Sequence, residues 1–406
     1  MDGQQGASGC AVGVPREPME ARPHMGTRSA IVRAQSLAID ARTAAAEFRT
    51  AVDQPDMTLV TFFCSADYDL DLLAAEMTRL FVGVDVVGCT TAGEIGPEGC
   101  SEHSLSGMSF GAADFAVASG GIDHLQQLDD AQAAALTQGL MQRLEHVAVA
   151  ATADNTFGLL LIDGLSVREE PLTRALQQGL GHIPLVGGSA GDGVRFDTTY
   201  VYYDGVFHTD AAVLVLISTQ LPFQTLKIQH FVPTDDRVVV TKADAQRRIV
   251  LEIDGQAATE AYARLVGADV SNLDPLRFAS QPVVVMIAGT NYVRSIQKAN
   301  PDGSLTFFCA IEEGVVLRAA YGADLLESLD TAFAELRERL GDPQLIIAFD
   351  CILRKLENSQ RGISDKVSAA YQRNNVVGFN SYGEQYQGVH VNQTLTGIAI
   401  GGAPDA

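Results

Sequence analysis

Residues 85–110 read DVVGCTTAGEIGPEGCSEHSLSGMSF, and residues 375–400 read NVVGFNSYGEQYQGVHVNQTLTGIAI. The two stretches align without a gap at a constant offset (375 − 85 = 290). Identities fall at Val86/Val376, Val87/Val377, Gly88/Gly378, Gly93/Gly383, Glu94/Glu384, Leu105/Leu395 and Gly107/Gly397. A third, shorter copy, LVGGSAGD at residues 185–192, carries Asp192 in the place of the Glu. Internal repetition is sought first because it fixes the architecture before local detail does. Each copy is preceded by a short apolar run (residues 58–64, 157–163 and 344–351), as expected of strands covered on both faces. Each run is followed by a segment of helical periodicity, at residues 67–81, 167–181 and 360–373. The unit is therefore strand, helix, parallel strand, Gly-rich turn and a further strand. Three such units predict an α/β fold of repeated βαβ units, forming mixed sheets covered by helices.

Working outward, residues 40–52, 131–145 and 323–340 are predicted helices. Residues 199–203 and 211–217 are predicted strands around an Asp204-Gly205 turn. Beyond Leu221 the texture becomes alternating β-type runs, at residues 227–231, 238–242, 248–253, 283–287, 293–297, 306–309 and 315–318. Hairpin signals stand at Asp254-Gly255 and Asp302-Gly303. The change predicts two domains meeting near Leu221-Pro222, residues 27–221 and 222–406. They follow a Gly/Pro-rich leader at residues 1–26, expected to be flexible, in which Met19 and Met25 compete with Met1 as the start.

The chain has 406 residues, 28 Lys plus Arg against 50 Asp plus Glu, and a net charge of −22. That balance argues against nucleic acid, whose phosphates demand a basic face, and against anionic membrane surfaces. No apolar stretch is long enough to span a bilayer. The leader has no apolar core of a secretory signal, so a cytoplasmic location is expected. The cysteines, Cys10, Cys64, Cys89, Cys100, Cys309 and Cys351, form no CxxC pair, and a structural zinc site is not expected.

The repeated turns gather Gly, small hydroxyls and an acid: Cys89, Thr90, Thr91, Gly93 and Glu94; Gly187, Gly188, Ser189 and Asp192; Ser381, Tyr382, Gly383 and Glu384. Ligands of parallel α/β sheets sit beyond the carboxyl ends of the strands. There Gly lets backbone N–H groups approach a ligand and hydroxyls both donate and accept. These residues are the candidate ligand site. The competing reading is a turn requirement that recurs with the fold. No P-loop, HExxH or GxSxG is present. An enzyme would have to use Cys89 as nucleophile or Glu94 and Glu384 as an acid/base pair.

VVGCTTAGEI, PLVGGSAGD with TYVYYDG, VVVTKADAQRRIVLEIDGQAATEAYARLVG, and VVGFNSYGE with NQTLTG together resemble the FIST sensory proteins, over nearly the whole chain. The resemblance implies a FIST N-terminal domain over 27–221 and a FIST C-terminal domain over 222–406. It also implies an input module of signal transduction, bacterial and less often eukaryotic, for small ligands such as amino acids; from the residues themselves no catalytic activity is expected. The partner would be a histidine kinase or a cyclic-di-GMP signalling protein, and a homodimer is open. YVRSIQ with DGSLTFFCAIEEGVVLR, at residues 292–318, is similar to the nitric-oxide-sensing branch, which binds haem and regulates a histidine kinase. Haem b would need an axial ligand, for which His208, His230 and His182 are the candidates. Arg294, Arg318 and Arg354 stand in apolar runs and are candidates to hold a ligand carboxylate. The expectation is thus a small-ligand sensor, with haem-based nitric oxide sensing first and amino-acid sensing as the alternative.

Overall fold

The computed structural model describes residues 30–147, 150–287 and 289–402; the leader at residues 1–26 lies outside them. The first unit opens with the strand Ile31–Ser36 and the helix Ala41–Ala51, whose Asp40 side chain accepts a hydrogen bond from the Thr43 N–H. Its crossover runs from the strand Met57–Ser65 through the helix Leu70–Leu80 to the strand Asp85–Thr91, and the two strands are parallel. The strand Leu105–Gly111 then returns antiparallel between Ile31–Ser36 and Met57–Ser65. The second unit repeats this order with Phe115–Ile122, Ala212–Thr219, Thr156–Ile162 and Leu185–Ser189. The third repeats it with Phe223–Ile228, Leu395–Ile400, Leu345–Cys351 and Val376–Ser381. The mixed α/β architecture is as the repeat implies.

Each four-stranded set is completed by a hairpin from another unit. Glu94–Gly96 and Gly99–Ser101 leave the first unit and extend the third sheet beside Val376–Ser381. Glu384–Tyr386 and Val389–Val391 leave the third and extend the second beside Leu185–Ser189. Val201–Tyr203 and Val206–His208 leave the second and extend the first beside Asp85–Thr91. The exchange closes on itself, so every unit gives one hairpin and receives one. The inner faces share one core, in which Phe63, Val87 and Phe110 meet Phe157, Leu159 and Val186, and Ile347, Phe349 and Phe379. The rings of Phe63 and Phe379 lie 4.8 Å apart, across two units. Helices cover the outer faces, including Leu70–Leu80, Glu169–Leu180 and Leu325–Leu340. Burial on both faces is the reason the strands read as unbroken apolar runs.

Residues 231–322 build a fourth, eight-stranded sheet, inserted between Phe223–Ile228 and the helix Leu325–Leu340. It has its own core around Val240, Tyr262, Phe278 and Leu317. The run expected at 227–231 is broken at Gln229-His230, because Phe223–Ile228 joins the third sheet and Phe231–Asp244 joins the fourth. A buried ion cluster docks the insertion: Arg248 pairs with Glu169 at 2.6 Å and with Glu170, whose carboxylate also accepts the Ala310 N–H at 2.6 Å.

The repeated glycines mark backbone contact. A Cβ at Gly378 would lie 1.7 Å from the Ala348 carbonyl oxygen, and one at Gly397 would lie 2.0 Å from that of Ile347. Gly139, inside the helix Asp130–Glu145, has open space instead. In urea unfolding, Gly397→Ala is expected to cost at least about 1–3 kcal/mol, the range of an overpacked core. Gly139→Ala should add about 0.5–1 kcal/mol. Equal effects at the two positions would contradict this packing.

Candidate functional site

The three Gly-rich turns converge and hydrogen-bond one another in pairs. Between the first and third, the Ala92 N–H donates to the Asn380 carbonyl at 2.9 Å and the Asn380 N–H to that of Gly93 at 2.7 Å. Between the third and second, Ser189 donates to Gly383 at 2.8 Å and Tyr382 to Ser189 at 3.1 Å. Between the second and first, Gly191 donates to Thr90 at 3.0 Å and Gly193 to Thr91 at 3.1 Å. The N–H groups expected to meet a ligand are therefore spent on neighbouring turns, as buried backbone groups must be.

The repeated acids lock their own turns. Glu94 accepts from the hydroxyl of Thr91, from the Ser104 N–H at 3.0 Å and from the Ser104 hydroxyl at 2.8 Å. Glu384 does the same with Ser381 at 2.6 Å and with Thr394 at 3.2 Å and 2.8 Å. Both are buried. Loss of hydration raises Glu94 to about 7 and Glu384 to about 8, against the opposing pull of these hydrogen bonds. In the second unit, Ala190 and Ala211 precede and follow the turn where the other units carry hydroxyls. Asp192 there caps the N–H groups of Phe196 (2.9 Å), Asp197 (2.8 Å) and Thr198 (3.0 Å) and accepts from the Tyr382 hydroxyl.

One cleft opens at this junction. Thr91, Gly93 and Glu94 of the first turn, Asp192, Gly193 and Arg195 beyond the second, and Ile352, Lys355 and Leu356 of the helix Ile352–Gln360 enclose about 240 Å³. Asp67, Glu102 and His103 complete it. Lys355 Nζ donates to the Ala92 carbonyl at 2.8 Å and pairs with Glu102 at 2.7 Å. Asp67 pairs with Arg195 and, at 2.7 Å, with His103; the Arg195 hydrogen bond holds its carboxyl below the usual range. Behind Lys355 and Glu102, and lined by both, lies a second cavity of about 270 Å³, bounded by Asp350, Asn358, Tyr371 and Asn380.

The FIST N domain matches residues 58–256 and the FIST C domain matches residues 258–387. The chain belongs to the FIST family. FIST domains are associated with small-ligand sensing in signal transduction. The FIST chain is also similar to an uncharacterized protein, MJ1623, of Methanocaldococcus jannaschii, at 26% identity over 282 residues, 60% of this chain and 54% of the relative. It thus spans about half the length of that curated relative.

Of the ligand residues expected in this FIST chain, only Thr91, Gly93, Glu94 and Asp192 line the cleft. Thr90, Gly187, Gly188, Ser189, Ser381, Tyr382, Gly383 and Glu384 build the sealed junction behind it. Cys89 is part of the shared core, and burial pushes its thiol well above the usual range, which corrects the nucleophile reading. Glu94 and Glu384 bond separate hydroxyls, each within its own unit; Glu94 lines the cleft and Glu384 does not. Arg354 is sealed: its Nε donates to Asp350 at 2.6 Å and its Nη1 to His230 Nδ1 at 3.1 Å. Arg294 and Arg318 line a different cavity, in the fourth sheet.

Of the three histidines expected as haem ligands, His230 does not fit the role. His230 is buried with both nitrogens engaged, Nδ1 by Arg354 and Nε2 by Glu357 at 2.9 Å, and burial lowers its pKa. His208 stacks on Tyr203 with ring centroids 4.0 Å apart; its Nδ1 faces Asp123 at 3.3 Å and its Nε2 is buried with no hydrogen-bond partner among the described residues. His182 is exposed on the surface before Leu185–Ser189. Sequence reading missed Asp67, Glu102, His103, Arg195 and Lys355. Lys355 had a signal, since Ile352, Lys355 and Leu356 fall at helical spacing directly after a strand.

An acid whose folded pKa is raised stabilises the fold fully below its unfolded pKa, and the contribution is lost as pH climbs through the folded value. Glu94 and Glu384 should therefore make the FIST chain less stable from about pH 4.5, their ordinary value, through about 7 and 8. The slope is at most about 1.4 kcal/mol per pH unit for each proton. Glu384→Gln, unable to ionise, should flatten the upper half of the curve in a series of denaturant melts. An unchanged slope would contradict the assignment.

Proposed function

We propose that this FIST protein senses a small zwitterion of the amino-acid class in the cleft between the first turn, the residues after the second and the helix Ile352–Gln360. The supporting observation is the pairing of opposite charges around a space of about 240 Å³: Lys355 and Arg195 against Asp67 and Glu102. A ligand carboxylate can replace Glu102 at Lys355, and a ligand ammonium can replace Arg195 at Asp67. The displaced Glu102 and Arg195 side chains are exposed to solvent, so neither exchange leaves a desolvated ion. The volume suits a molecule smaller than the usual drug-sized occupant.

The cleft is lined by all three units, so an occupant that favours one arrangement of these walls shifts the population of the whole junction. Parting of Lys355 from Glu102 would also join the cleft to the cavity behind it. The reading includes a separate output partner, a histidine kinase or a cyclic-di-GMP signalling protein, as the family resemblance implies. The net charge of −22 suits a partner with a basic face, which would speed association and select against wrong partners.

Thermal melts with each of the twenty amino acids test this. At least one should raise the melting temperature; at about a hundredfold excess over its Kd it contributes about 2.7 kcal/mol. Lys355→Met should abolish that rise while leaving the ligand-free fold intact. No response to any amino acid, or a response unchanged in Lys355→Met, would overturn the proposal.

A further inference from the structure

The fourth sheet holds a second cavity, of about 590 Å³, and three arginines line it: Arg237, Arg294 and Arg318. Arg237 and Arg318 stand directly opposite one another on the antiparallel strands Phe231–Asp244 and Val316–Gly322. Like charges in that position repel. Arg294 enters from the end of Thr290–Arg294, two strands beyond Val316–Gly322 in the sheet. Arg294 and Arg318 are half-buried, yet none of the three forms an ion pair or a side-chain hydrogen bond among the described residues. Glu312 also lines the cavity and pairs with none of them. The chain has 50 carboxylates against 28 basic residues, and Arg248 and Arg354 are each matched to acids at 2.6 Å. Three unmatched guanidiniums around one cavity run against that balance.

The remaining lining is apolar, with Val285, Met286, Ile311 and Val316 beside the arginines. We propose that this cavity binds an organic anion, with one phosphate or carboxylate group held by the arginines and an apolar body against Val285, Met286 and Val316. Guanidinium forks match the planar oxygens of both groups and hold them in two parallel hydrogen bonds. The volume lies within the range of ligand pockets. A bound anion would offset the repulsion between Arg318 and the exposed Arg237 across the strand pair. This site is independent of the cleft at the turns.

Isothermal titration of the full chain with phenyl phosphate, benzoate and benzyl alcohol tests it. Either anion should bind and benzyl alcohol should not; Arg318→Gln and Arg294→Gln should each weaken the anion at least tenfold. Because Arg318→Gln removes one of two opposed charges, its unfolding midpoint without ligand should equal or exceed that of the wild type. A structural role for Arg318 would lower it. Lys355→Met should leave this binding unchanged, separating failure here from failure of the cleft. Absence of binding by both anions, undiminished binding in both Gln variants, or equal binding of benzyl alcohol would overturn the proposal.

Discussion

The structure rests on the paired backbone hydrogen bonds with which three Gly-rich turns meet. A βαβ unit that ends in a turn leaves amide and carbonyl groups without partners, and at this buried junction they need partners within the protein. Here each turn supplies the partners of the next, and the ring of six bonds closes. The hairpin that follows each turn then has to leave over a neighbouring sheet, which is why the sheets exchange strands. The buried Glu94 and Glu384 follow from the same constraint, since each gathers hydroxyl and N–H donors that bracket its own turn.

Charge is distributed with the same economy. The buried cations are matched: Arg354 with Asp350, beside the His230–Glu357 pair, and Arg248 with Glu169 and Glu170. Such pairs are costly to break, because removal of one member leaves the other charged in a dry interior. Partly exposed pairs rim the cleft, Lys355–Glu102 and Asp67–Arg195. Those are the pairs a polar ligand can rearrange without disturbing the core.

Much of this could be read from the sequence. The offset between residues 85–110 and 375–400 is a real repeat of structure, and continuous apolar runs such as residues 157–163 do form strands buried on both faces. The strand exchange was hidden because a three-residue strand such as Glu94–Gly96 has no period, and alternation specifies a strand's faces rather than its neighbour. The turns looked like ligand cradles because Gly and hydroxyls serve backbone-to-backbone contact as well as they serve ligands. His230 and Arg354 looked available because sequence shows neither burial nor the partner Glu357, which lies 127 residues from His230. The cleft was half legible: its turn residues belong to the repeat, but Lys355 and Arg195 arrive from elements that only the fold brings together.

Amide hydrogen exchange, resolved to the residues of the three turns, tests the central claim most directly. If the turns close on one another, the N–H groups of Ala92, Ser189, Gly191, Asn380 and Tyr382 should open together, in one cooperative event near the free energy of global unfolding. Fast exchange at any one turn while the other two stay protected would contradict a junction in which each turn depends on the next.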